Sequence, residues 1–96
     1  MSERKIIDGA SMPRLAPHMR LRFDEARQCW TVQAPERSFL LDETARSIVQ
    51  RCDGVTPVGA IVDSFCALYT DASREVIGTD VIAMIQGFVD KSIMTS

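Results

Sequence analysis

The chain has 96 residues, 46% of them apolar and 25% charged, with a formal net charge of −2. That is one domain's worth of chain at an ordinary globular composition, which excludes a disordered, collagen-like or multidomain molecule. No apolar run approaches the roughly 20 residues needed to span a bilayer, and no N-terminal apolar stretch is long enough for a secretory signal, so a cytosolic protein is expected.

Residues 1–17 mix charges with Gly9, Pro13 and Pro17, and read as a mobile lead-in to a single domain over 18–96. Met19, Leu21 and Phe23 then alternate with His18, Arg20 and Arg22, and Trp30, Val32 and Ala34 alternate with Cys29, Thr31 and Gln33. Period-two patterning on either side of Asp24–Arg27 predicts a β-hairpin with one apolar face. Pro35 lacks an amide hydrogen and ends the second strand, and Arg37–Leu41 follows as a short third strand with Phe39 and Leu41 on one face.

Asp42 is placed to cap a helix over 43–52, whose Ala45, Ile48, Val49 and Cys52 share one face and which Gly54 stops. Thr56 followed by Pro57 predicts the start of a second helix over 57–69, with Val58, Ile61, Val62, Phe65, Leu68 and Tyr69 in helical period. Ser73 caps a third, to about Lys91, with Ile77, Val81, Met84, Ile85 and Phe88 in one stripe that Val76, Ile82 and Val89 widen. Strands first and helices after give an α+β fold: a winged-helix-like domain, with a three-stranded antiparallel sheet followed by three helices. Trp30 and Phe65 are the expected core anchors.

The chemistry of catalysis is absent from the pattern. Cys29, Cys52 and Cys66 are an odd number at spacings that suit neither a disulfide framework nor a zinc pair, and are expected to be reduced, buried apolar residues. His18 stands alone, and no hydrolase, phosphate-loop or calcium-loop motif occurs, so no catalytic residue, metal or cofactor is predicted. Asp24 and Glu25 are adjacent carboxylates in a turn, which serve turn geometry and do not make an acid/base pair.

The ordered set Arg20-Leu21-Arg22-Phe23-Asp24, Pro35-Glu36, Leu41-Asp42, Cys52-Asp53-Gly54 and Asp80-Val81 resembles the pyrroloquinoline quinone biosynthesis protein D family, from about Pro13 to Met94. Where members often carry glycine, this chain has Arg37 and Ser92. The resemblance implies a small winged-helix module without activity of its own, which binds a ribosomally made precursor peptide and presents it to a radical S-adenosylmethionine enzyme. Other peptide-recognition domains share the fold.

An open sheet edge supports that role on physical grounds, because an extended peptide satisfies unpaired strand amides and carbonyls by adding a strand. The candidate edge is Arg37, Ser38, Phe39, Leu40 and Leu41, with Ile82, Ile85 and Val89 of the third helix offering pockets; the alternative is that those three complete the core. Residues 1–55 hold nine Lys or Arg against eight acids, and residues 56–96 two against five, so the basic groups lie on the sheet half. Arg20 and Arg22 on one strand face are candidates for docking the partner enzyme. An open edge also suits pairing with a second copy, as does helix exchange across Asp53–Val55. A winged-helix DNA-binding regulator is the rival reading, but Arg74 and Lys91 against Glu75, Asp80 and Asp90 make a poor recognition helix, so no nucleic acid and no membrane are expected as partners. A purely structural or oligomerisation module is the third class.

Overall fold

The computed structural model describes residues 5–96. The chain runs β1 (Arg14–Leu15), β2 (Arg20–Asp24), β3 (Cys29–Gln33), β4 (Ser38–Leu41), α1 (Glu43–Arg51), α2 (Val58–Leu68), α3 (Arg74–Asp90) and β5 (Met94–Thr95). The sheet β2-β3-β4 is antiparallel throughout and is followed by three helices, as the patterning predicts. Its inner face, which includes Leu21, Val32, Phe39 and Leu41, packs on a core completed by Ile48, Ile61, Phe65 and Ile85. Burial of each such side chain contributes about 1.5–3 kcal/mol. No helix among the described residues is long and apolar enough to cross a membrane.

The helix ends follow local chemistry. Asp42 caps α1, its carboxylate accepting from the Ala45 amide at 2.7 Å, and Ser73 caps α3 by accepting from Val76 at 3.2 Å. Arg51, in the last turn of α1, donates to Ser64 Oγ at 3.0 Å and lies 4.7 Å from the centre of the Phe65 ring, tying α1 to α2.

The start of α2 departs from expectation. Pro57 is the N-cap and supplies no side-chain bond; Thr56 Oγ instead donates to Asp53 at 2.9 Å. The orphan amides of Val58 and Gly59 donate to the carbonyls of Ser11 at 2.8 Å and Gly9 at 2.9 Å. Residues ahead of the sheet therefore cap this helix. Of the lead-in expected over 1–17, residues 1–4 lie outside the described residues, while within 5–17 Ile7 and Pro13 are buried and most of the others are exposed. Ile7 is buried, its amide donates to Gln86 Oε1 at 2.8 Å, and Gln86 Nε2 donates to the Lys5 carbonyl at 2.7 Å. β1 pairs with β5, so the two ends of the described chain form a small second sheet.

Asp53 organises the α1–α2 connection by accepting from the amides of Val55 at 3.0 Å and Thr56 at 2.8 Å as well as the Thr56 hydroxyl. These bonds, the Val55 amide foremost, hold its carboxyl below the usual carboxylate range. A pKa lowered on folding gives stability that is complete above the unfolded value near ~4 and is lost as pH falls through the folded value. Urea melts between about pH 5 and 2 should show an acid limb that is flatter in Asp53→Asn than in the unaltered chain.

α3 ends where the Ile93 amide donates to Phe88 O at 2.9 Å and the Ser92 amide to Val89 O at 3.0 Å, the paired bonds of a Schellman motif. Ser92 occupies its left-handed position at φ 62°. Glycine suits that position because a Cβ makes it strained, by roughly 1 kcal/mol. Ser92→Gly should therefore raise stability by about 0.5–1 kcal/mol in denaturant melts.

Candidate functional site

In the β3–β4 pairing, Val32 faces Phe39 and Trp30 faces Leu41, and the hairpin closes with the Ala34 amide donating to Arg37 O at 2.8 Å. Antiparallel ladders alternate, so the backbone groups of Phe39 and Leu41 turn inward to β3 while those of Ser38 and Leu40 turn outward. No described strand pairs with that outer side. The edge is four residues long, and Leu40 is 59% exposed. Side chains divide the same way: Phe39 and Leu41 pack inward, whereas Ser38 and Leu40 lie on the outer face. Arg37 is exposed, with its guanidinium 5.0 Å from the centre of the Phe39 ring.

The third helix carries the candidate pocket residues Ile82, Ile85 and Val89, for which completion of the core was the alternative. Ile85 is completely buried, so it completes the core and has no free surface for a peptide. Ile82 shares a recess with Gly9, Val58, Gly59 and Val62, on the flank that meets α2 and the N-terminal segment. Helical steps of 100° put Val89 on that flank too. Asp80 lies on the other flank, across a recess from Thr44 and Ile48 of α1, which follows directly from β4. Steps of four residues carry that line to Met84 and Phe88, both half-buried against the core.

Arg20 and Arg22 are both exposed. Register puts them opposite Gln33 and Thr31, and thus on the outer face shared with Ser38 and Leu40. β2 is the second edge of the sheet, with the backbone groups of Leu21 and Phe23 turned outward.

The sequence model of the family described as "Coenzyme PQQ synthesis protein D (PqqD)" matches residues 29–93. The chain belongs to the PqqD family. A "PqqA binding protein" of Rhodopseudomonas palustris (strain BisB5) is 48% identical over 96 residues, covering 99% of this chain and 93% of that protein. The "Bifunctional coenzyme PQQ synthesis protein C/D" of Methylorubrum extorquens is 34% identical over 93 residues, which are 97% of this chain and 25% of that longer protein. The solution structure of the PqqD truncation of Methylobacterium extorquens PqqCD, described as a functional stand-alone RiPP recognition element, superposes with a TM-score of 0.80 at 34% identity, covering 99% of this chain and all of that one.

Of the two departures from the PqqD pattern, Arg37 keeps a negative φ, so its turn needs no glycine; Ser92 is the strained position described above. Met84 and Phe88 belong to the apolar stripe of α3, and periodicity alone does not tell one flank of that stripe from the other. The three cysteines are free; Cys52 is buried, and burial first and Asp53 second push its thiol up to about 12. Cys29 and Cys66 are half-buried.

Proposed function

We propose that this chain binds PqqA as a fourth strand on β4 and, in the cytosol, presents it to a radical S-adenosylmethionine enzyme without performing a catalytic step itself. The observation that carries the reading is the outward-turned backbone of Ser38 and Leu40, with which no described strand pairs. Relatives named for binding PqqA support the ligand. Ser38 and Leu40 supply backbone pairing, Arg37 a cation at one end, and Met84 and Phe88, in place of Ile82, Ile85 and Val89, the apolar contacts. DNA recognition is disfavoured by α3, where Arg74 is bonded to Asp63 and Glu75, Thr79 and Asp80 are exposed.

Calorimetric titration with synthetic PqqA tests the reading. Saturable binding at micromolar or tighter affinity is expected; a flat isotherm with correctly folded protein overturns it.

Arg20 and Arg22 lie on β2, away from the β4 edge, and serve docking on the enzyme. Exposed charges mainly set encounter rate and orientation, each worth at most about 1 kcal/mol. Replacing both by Ala should leave PqqA affinity within roughly threefold and slow enzyme association at low ionic strength, a difference that screening removes above ~0.5 M salt. Stopped-flow association at two salt concentrations measures this. The β2 edge also gives self-association a route that does not compete with the peptide.

A further inference from the structure

We propose that the recess between α1, the end of α2 and the start of α3 is a second binding site, which takes one bulky apolar side chain, next to a Lys or Arg, from the peptide segment upstream of the added strand. The inference rests on the strand-addition reading above. The recess has a volume of about 250 Å³ and is walled by Ile48, Phe65, Ile77 and Val81, with Tyr69 and Val76 at 48% and 55% exposure. Small-molecule sites usually enclose roughly 300–1,000 Å³, so this one suits a single large side chain better than a cofactor. Phe65 and Tyr69 stack at 6.1 Å and give it one aromatic wall.

Charge and position select the occupant. The acids lining the recess are Asp71 and Asp80, both exposed, with no Lys or Arg among the lining, which favours a cation beside the apolar group. Thr44, on its rim, lies three residues beyond Leu41, where β4 ends. The sheet is antiparallel throughout, and antiparallel pairing is the more stable arrangement per residue. A strand added that way runs opposite to β4, so its N-terminal end leaves at Leu41, on the side of the recess. The upstream segment therefore reaches the recess, and the downstream segment leaves past Arg37.

Synthetic PqqA carrying a nitroxide at its N-terminal end should broaden the amide signals of residues 71–80 in the full chain; the same label at its C-terminal end should broaden residues 34–38 instead. Val76→Trp, which fills the recess, and the double change Asp71→Lys with Asp80→Lys should each weaken binding about tenfold or more. Amide spectra unchanged away from the substitutions verify the fold. PqqA binding with residues 71–80 unaffected by the N-terminal label, or binding within about twofold in both variants, overturns this inference and leaves strand addition standing. Absence of binding to the unaltered chain overturns both.

Discussion

Leu40→Pro is expected to weaken PqqA binding by about tenfold to a hundredfold while the domain stays folded. The substitution removes an amide that faces away from β3, so it takes a donor from the added strand and none from the existing ladder. Loss of one interstrand bond, with the ring in the path of the incoming backbone, corresponds to about 1.4–3 kcal/mol. Phe39→Pro, one position earlier, should behave in the opposite sense. Its amide faces β3, so the change breaks the sheet and costs about 3 kcal/mol of stability. Calorimetry with denaturant melts on both variants separates the effects; equal behaviour of the two would contradict the ladder assignment.

Ile7→Ala is expected to cost about 2–4 kcal/mol, a large part of the roughly 5–15 kcal/mol that holds a domain folded. Ile7 is only 4% exposed, and the segment behind it supplies the carbonyls that cap α2. Gln86→Ala should destabilise by a smaller amount, about 1–2 kcal/mol, because it removes the bonds to Ile7 N, Lys5 O and Asp90 Oδ1. Urea denaturation measures both; an unchanged midpoint in Ile7→Ala would show that the segment is not part of the cooperative unit.

These residues also mark where the sequence was legible. Alternation around Trp30 and Val32 specified the hairpin, and Asp42 and Ser73 specified two helix starts, because each signal is local and its partner lies within a few residues. The N-terminal segment was opaque for the opposite reason. Ile7 meets Gln86, 79 residues away, and Gly9 and Ser11 cap a helix through carbonyls that every residue possesses. β1 and β5 are two residues each, too short for any period to show. Thr56 gave a valid capping signal, but Asp53 took its hydroxyl for the preceding turn.

The candidate edge strand was legible in the sequence, and the packing of α3 was not. Phe39 and Leu41 alternate with Ser38 and Leu40, and Pro35 announces an interrupted ladder, so the edge followed from period two and proline chemistry. Which side of α3 accompanies that edge depends on how α1 and α2 flank it. That is a tertiary fact: Ile85 is buried in the core and Ile82 lines a recess with α2 and the N-terminal segment, which is why Met84 and Phe88 are the residues proposed for the helical contacts.

Strand addition is tested most directly by amide hydrogen exchange of the free and PqqA-bound chain at one pH. The account predicts that the Ser38 and Leu40 amides, which face outward and pair with no described strand, become protected on binding, while Leu21 and Phe23 on the other edge exchange as before. Protection at Leu21 and Phe23, or saturating binding that leaves both edges unprotected, would contradict it.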